Sequence, residues 1–115
     1  MWESILLMLK IATLHEETYM SVMAEQSGSD TIIKIVGRFD FNVHQEFRNA
    51  YEGADGDFVV DMSQTDYIDS SALGMLLLLR EHAGGDKASI KITHTNEEIK
   101  KILTISNFQT MFNIE

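Results

Sequence analysis

Residues 58–85 read FVVDMSQTDYIDSSALGMLLLLREHAGG, and this stretch decides the fold. Its first five residues are a short apolar run that is typical of a buried central strand. A polar loop is predicted over Ser63 to Ile68. A helix is then predicted from near Ser70 to Gly84 and Gly85, which supply a left-handed stop. A buried strand followed by a loop and a helix indicates an α/β unit.

The segments on either side of this unit predict further strands and helices. Strands are expected at 20–25, 31–36, 88–93 and 111–114, and helices at 1–19, after Asn42 and after Thr95. Turn residues at 26–30 join the first two strands into a hairpin, and crossover helices make the other strands parallel. We therefore expect an α/β fold with a mixed, mostly parallel sheet and helices packed on it. Residues 1–19 are an extra amino-terminal helical extension, and 20–115 are one domain.

Three helices have recognisable sequence features at their starts or on their faces. Asn42 with Gln45, and Thr95 with Glu98, form capping-box patterns that predict two helix starts. The helix that begins near Ser70 has one continuous apolar stripe, made by Ala72, Met75, Leu76, Leu79 and Ala83. Leu73 and Leu77 widen its apolar surface beyond that stripe, which indicates that two faces of the helix are in use.

Composition excludes several classes of function. The chain of 115 residues has no cysteine, so disulfides and thiolate metal sites are excluded. A net charge of -9 opposes binding to nucleic acid. The longest apolar runs are five residues, far short of the roughly 20 that span a bilayer. Glu3 and Lys10 also interrupt the pattern of a signal peptide. We expect a cytoplasmic protein without membrane insertion.

The segment from Asp66 to Ser71 is the candidate functional site. It lies where parallel strands end, and Ser70 and Ser71 occupy the first turn of a helix, where the dipole and free amides favour negative charge. The local sequence alone favours a simpler interpretation, in which Asp69 or one of the serines only caps the helix. Asp66 and Asp69 are too few ligands to predict a metal site. No cofactor is predicted.

An enzymatic role for Ser70 is the alternative from another class. A nucleophilic serine needs a base within hydrogen-bond reach, and the four histidines are scattered along the chain without an informative spacing. No phosphate-cradling glycine motif is present either. A small enzyme or nucleotide-binding protein is therefore the weaker hypothesis.

Two motifs resemble a known family, the bacterial anti-sigma-factor antagonists that consist of a STAS domain. Residues 58–63, followed by 67–74 (YIDSSALG), are similar to the family's strand, loop and phosphoacceptor helix, and residues 36–40 (VGRFD) are similar to its second-strand turn. The resemblance covers about residues 20–114. It departs from the family pattern at Ala72, where a glycine is usual, and in lacking the carboxyl-terminal helix.

The resemblance implies a binding switch. The unphosphorylated protein would bind an anti-sigma factor that is also a serine kinase and so release the sigma factor, while phosphorylation of Ser70 would abolish binding and a phosphatase would restore it. Asp40, Asp69 and Ser71 would belong to the switch loop. Leu73 and Leu77 would contribute to the partner face.

Two matters stay open on the sequence. A STAS subunit of a lipid-transport or stress-signalling complex, with Ser70 unmodified, is the alternative function within the family. Residues 4–15 are predicted either to cover surface left bare by the missing helix or to form a homodimer contact, unless Met20 is the true start.

Overall fold

The fold begins with an antiparallel hairpin of β1 (Val22–Ser27) and β2 (Asp30–Ile35). This confirms the predicted hairpin. The computed structural model describes residues 3–5 and 21–115, and Glu3 to Ile5 are helical. The rest of the predicted amino-terminal helix, with the roles proposed for residues 4–15, lies outside the described residues.

The main sheet adds β4 (Asp57–Asp61), β6 (Ile90–Thr93) and β7 (Asn113–Ile114) to this hairpin, and each of them pairs in parallel with its neighbour. Among the described residues the strand order of this sheet is β1-β2-β4-β6-β7. Register aligns Ile33 with Val60, and Val60 with Ile92, in one fully buried row. Because strand side chains alternate between faces, the neighbouring row of Lys34 and Asp61 lies on the other face. The mostly parallel mixed sheet is confirmed.

A second, two-stranded parallel sheet was not predicted. It pairs β3 (Gly37–Phe39) with β5 (Thr65–Ile68), which lies inside the segment predicted to be a loop. Thr65 is buried, and its hydroxyl donates to the Ile35 carbonyl at 2.7 Å, so a polar side chain is satisfied inside the fold. The loop prediction was wrong because this four-residue strand is polar and does not alternate.

Gly37 is the first residue of β3 and follows β2 after a single residue. Its φ of +83° lies in the left-handed region that glycine adopts without a steric cost, and its amide donates to the Gln64 carbonyl at 2.8 Å. The chain therefore leaves the main sheet at this residue and pairs with β5 instead.

Within residues 21–115 the α-helices are α1 (His44–Glu52), α2 (Ser70–His82) and α3 (Glu97–Ile105). Helix α2 ends before Gly84 and Gly85, which have φ values of +118° and +62°, as predicted. Both predicted capping boxes were wrong in detail. Asn96, not Thr95, caps α3, accepting from the Ile99 amide at 2.8 Å. Asp40, not Asn42, caps a 3₁₀ turn (Phe41–Val43) that precedes α1. Each segment has a neighbouring residue whose short side chain reaches the free amides better.

The hydrophobic core lies between the main sheet and the helices. Helix α1 contacts β1 and β2, whereas α2 packs against α1 and β5, and α3 also contacts β5. The predicted stripe of α2 is confirmed, since Ala72, Met75, Leu76 and Leu79 are buried and Ala83 packs against the core. The packing of these helices sets the direction of α2, and thereby the position of its first turn.

Candidate functional site

The candidate site lies where β3 and β5 end side by side. The parallel register pairs Phe39 with Ile68, and each of these buried residues is followed by an aspartate. The register therefore places Asp40 and Asp69 at adjacent strand ends. Each aspartate begins a helical turn, so the two strand ends have the same local construction.

Asp40 is a buried capping residue with two partners. One carboxylate oxygen accepts from the Asn42 amide at 3.0 Å, and the other accepts from Nε of Arg38 at 3.3 Å. A buried carboxylate requires such partners, because burying an unpaired charge costs on the order of several kcal/mol. Both oxygens of the Asp40 carboxylate are therefore held in place by hydrogen bonds within the domain.

Asp69 is the N-cap of α2 and has three donors on one oxygen. Its Oδ1 accepts from the Ser71 hydroxyl at 2.5 Å, from the Ser71 amide at 2.9 Å and from the Ala72 amide at 3.2 Å. The hydroxyl of Ser71 is the main cause that lowers the pKa of Asp69. Desolvation is the second-largest influence and raises this pKa, while the two amides and the positive charge of Arg38 lower it further. Asp69 is therefore ionised at neutral pH.

Ser70 and Ser71 differ in what their hydroxyls do. Ser70 is exposed in the first position of α2, and within residues 3–5 and 21–115 its hydroxyl makes no hydrogen bond. The half-buried Ser71 donates its hydroxyl to Asp69. Of the two adjacent serines, the geometry leaves Ser70 accessible to a modifying enzyme and uses Ser71 to stabilise the helix start.

Arg38 is a site residue that sequence reasoning missed. Its guanidinium carbon lies 4.1 Å from the centre of the Tyr67 ring, across the β3–β5 pair, and its Nε contacts Asp40. A guanidinium over an aromatic face is an attractive contact. The available signal was its spacing, since Arg38 and Asp40 are two residues apart on an extended segment and so share a face.

Comparisons with known proteins agree with this architecture. The family model described as Mlab, STAS domain matches residues 22–113. The chain belongs to the STAS domain family. A STAS-domain-containing protein of Pseudomonas aeruginosa strain UCBPP-PA14 is 48% identical over 98 residues, which cover 83% of this chain and 97% of that protein.

Solved structures share the fold of this STAS domain. The anti-sigma factor antagonist SpoIIAA in its unphosphorylated form is 15% identical, with 82% of this chain and 86% of that chain covered and a TM-score of 0.64. The phosphorylated form of SpoIIAA, a cell fate determinant of Bacillus, is 14% identical, with 82% and 90% covered and a TM-score of 0.60. A putative anti-sigma factor antagonist of Thermotoga maritima is 14% identical, with 81% and 84% covered and a TM-score of 0.68. At these identities the likeness concerns the fold.

Exposed apolar side chains of the STAS domain lie on α2 and directly after Asp40. Leu77 and Leu78 on α2 are 39% and 59% exposed, while Leu73 is half-buried against the core. Phe41 is 65% exposed and stacks on His44 with ring centres 4.6 Å apart. Leu73 and Leu77 are the residues that the sequence predicts for a partner face. The exposure of Leu78 and Phe41 was not predicted, because it depends on how α1 and α2 are packed.

A groove between α1 and α2 of the STAS domain has a volume of about 350 Å³. It is lined by His44, Phe47, Arg48, Tyr51, Glu52, Met75, Leu78 and His82. Burial raises the pKa of Tyr51, and the opposing charges of Arg48 and Glu52 contribute less. Nε2 of His82 lies 2.8 Å from the Ala54 carbonyl, which joins the end of α2 to the loop before β4. Ser70 is not among the lining residues.

Within residues 3–5 and 21–115, no cluster of three or more histidine or acidic side chains is arranged to hold a metal ion. No helix in these same ranges combines the length and apolar character required to cross a bilayer.

Proposed function

We propose that this STAS domain is a phosphorylation-switched protein-binding module that acts as an anti-sigma-factor antagonist. The observation that carries the proposal is the difference between two adjacent hydroxyls, since Ser70 is exposed and unbonded within the described residues while Ser71 is bonded to Asp69. A kinase needs a hydroxyl that it can reach without unfolding a helix start. Ser70 meets that requirement and is the proposed phosphorylation site.

The chemistry of phosphate supports an off switch at this position. Phosphorylation adds about 1.5 to 2 negative charges at neutral pH and three strong acceptor oxygens. The first turn of α2 tolerates this charge because its free amides and dipole favour anions. Asp69, which is ionised, and the exposed Asp66 already make the loop negative. A partner that accepts this surface would meet a much stronger negative charge after modification.

The apolar residues near Ser70 are the proposed partner surface. Four large side chains are exposed here, those of Leu77, Leu78, Phe41 and Tyr67. Exposed leucine and aromatic surface on a small domain commonly marks a protein–protein interface. Leu73, half-buried, would lie at the edge of this surface. The unmodified protein would bind through it, and the phosphate on Ser70 would disrupt the rim of the same contact.

The proposed partners are an anti-sigma factor that is itself a serine kinase, and a phosphatase that returns Ser70 to its unmodified state. SpoIIAA, whose fold this chain shares, is described as an anti-sigma factor antagonist and is known in unphosphorylated and phosphorylated forms. The domain would work as a binding protein in the cytoplasm, with no catalysis of its own. None of the hydrogen bonds among the described residues joins Ser70 to a histidine, which also argues against a nucleophilic role.

The test compares partner binding by matched variants. Full-length protein is recovered from its cells, and phosphate is located by mass spectrometry. Partner capture is then measured for wild type, Ser70→Ala, Ser70→Asp and protein carrying phosphoserine at 70. We expect Ser70→Ala to bind as wild type and the phosphoserine protein to bind at least about tenfold more weakly.

Ser89→Asp is the matched control for added charge. Ser89 is exposed and directly precedes β6 in the main sheet, whereas Ser70 follows β5 in the two-stranded sheet, so its replacement should leave binding unchanged. Equal capture by the phosphoserine protein and Ser70→Ala, or phosphate found on Ser71 instead, would overturn the proposed switch.

A second candidate is a STAS subunit of a lipid-transport or stress-signalling complex, with Ser70 never modified. The position of the exposed leucines favours it. Leu77 and Leu78 begin two helical turns beyond Ser70, roughly 10 Å along the axis, so a partner can bind them without contacting the serine. Under this candidate, Leu78→Asp abolishes partner capture while phosphoserine at 70 has no effect.

A further inference from the structure

Arg38 has an unusual position among the charges around Ser70. It is the one cationic side chain on β3, β5 and the turns that follow these strands, residues 40–43 and 69–71. Its side chain is 65% exposed, and it reaches across the strand pair to lie 4.1 Å from the centre of the Tyr67 ring. Tyr67 is three residues before Ser70. Arg38 is paired with Tyr67 on the neighbouring strand, and its charge also lowers the pKa of Asp69, the residue directly before Ser70, so the guanidinium lies near the start of α2.

Most of the hydrogen-bonding capacity of Arg38 is unused. A guanidinium carries five N–H donors, and within the described residues only Nε is engaged, by Asp40 at 3.3 Å. The two terminal nitrogens are the ones that form the planar fork preferred by phosphate. Asp40 thus holds the side chain at Nε, while the two terminal nitrogens have no hydrogen bond to the described residues.

We infer that Arg38 is the internal receptor for a phosphate on Ser70 and holds it against the surface of the domain. The inference rests on the proposed function, since it needs a phosphorylated Ser70. In the modified protein the guanidinium turns from Asp40 to the phosphate. Asp40 keeps the amide of Asn42 as a partner, so its buried carboxylate remains satisfied on one oxygen.

Charge decides the direction of this exchange. The phosphate carries close to two negative charges and three acceptor oxygens, whereas Asp40 offers one charge and an oxygen that Arg38 contacts through a single N–H. Asp66 and Asp69 repel the phosphate, so Arg38 is the group that offsets this repulsion. An aspartate at position 70 has a single charge and a shorter side chain. We therefore expect Ser70→Asp to imitate the modified state incompletely.

The test measures the ionisation of the phosphate itself. Phosphoserine is introduced at position 70 of the full chain, and its phosphorus NMR signal is followed with pH. The second pKa of the phosphate is ordinarily about 6, and a bound guanidinium lowers it because it stabilises the dianion. We expect this pKa to be lower in the protein with Arg38 than in Arg38→Gln by about half a pH unit or more. Arg38→Lys should restore part of the difference.

Arg48→Gln is the matched control, because Arg48 is also exposed and, among the described residues, its one ion pair is with Glu52, at 3.8 Å on α1. It removes the same charge and should leave the phosphate pKa nearly unchanged. An equal effect of Arg38→Gln and Arg48→Gln would overturn the inference.

The measurement needs no partner protein, so the two proposals can fail separately. If the phosphate pKa depends on Arg38 but partner capture is the same with and without phosphate, Arg38 is the phosphate receptor and the proposed switch is wrong. If capture depends on phosphate while Arg38→Gln leaves the phosphate pKa as the control does, the switch stands and the receptor falls.

Discussion

Ser71 donates its hydroxyl hydrogen bond to Oδ1 of Asp69 at 2.5 Å, and the same oxygen accepts the backbone amide of Ser71 at 2.9 Å. This contact is part of the N-cap of α2. Since the hydroxyl of Ser71 turns inward to the cap, Ser70 is left as the exposed serine of the pair. The capping geometry thus gives two chemically identical residues different environments.

The contact between Ser71 and Asp69 predicts a change in acidity. Because the Ser71 hydroxyl is the largest cause of the lowered pKa of Asp69, Ser71→Ala should raise that pKa toward the ordinary value of about 3.9. Carboxyl carbon NMR shifts followed with pH would measure it. Ser70→Ala is the control and should leave the Asp69 pKa where it is in wild type.

The same contact predicts how stability depends on pH. The folded-state pKa of Asp69 lies below its unfolded value, so its stabilising contribution is present above about pH 4 and is lost as pH falls through the folded pKa. We therefore expect the gap in free energy of unfolding between wild type and Ser71→Ala to be largest at neutral pH and to shrink below about pH 4. Urea unfolding at several pH values measures this gap. A gap that widened in acid would contradict the assignment.

Truncation of two leucines of α2 should change the free energy of unfolding by very different amounts. Leu76 is fully buried, so Leu76→Ala should lower the free energy of unfolding by about 2 to 5 kcal/mol through lost burial and a cavity. Leu78 is largely exposed, and Leu78→Ala should change stability by no more than about 0.5 kcal/mol. Urea unfolding separates the two. A large loss for Leu78→Ala would mean that this side chain is structural, which would remove it from the proposed partner surface.

The cap of α3 gives a prediction in which adjacent residues differ. Asn96 accepts from the Ile99 amide, so Asn96→Ala should destabilise the domain by about 1 kcal/mol. The buried hydroxyl of Thr95 has no hydrogen-bond partner within the described residues, so the isosteric Thr95→Val should be neutral or slightly stabilising. Thermal unfolding of both variants checks the assignment. The reverse order would restore Thr95 as the capping residue.

Two glycines should respond with opposite signs to replacement by alanine. Gly37 has a φ of +83°, so Gly37→Ala should destabilise by about 1 kcal/mol or more, since alanine is strained in this region. Gly74 lies inside α2 with open space around it, so Gly74→Ala should stabilise by about 0.5 to 1 kcal/mol. Chemical unfolding of the pair measures the difference. Destabilisation by Gly74→Ala would contradict an ordinary helical role for that glycine.

Much of the fold was predictable because its signals are local. The apolar run at 58–62, the stripe of α2 and its glycine stop each depend on residues that are neighbours in the chain or one helical turn apart. The short strands β3 and β5 escaped prediction for the opposite reason. Their residues are polar or few, and what makes them strands is pairing with each other. The capping residues were missed by one or two positions, since several short polar side chains compete at each helix start.

The sequence by itself determined the α/β class, the apolar stripe of α2 and the presence of a serine pair at the start of that helix. Only the tertiary structure decided that Asp40 and Asp69 follow paired strand ends, that Arg38 lies over Tyr67, and that Ser70 is exposed while Ser71 bonds to Asp69. The first group follows from hydrophobic periodicity, which each segment carries in its own residues. The second group depends on the register between β3 and β5, which are distant in the chain, and on which donors a carboxylate meets once the strands are paired.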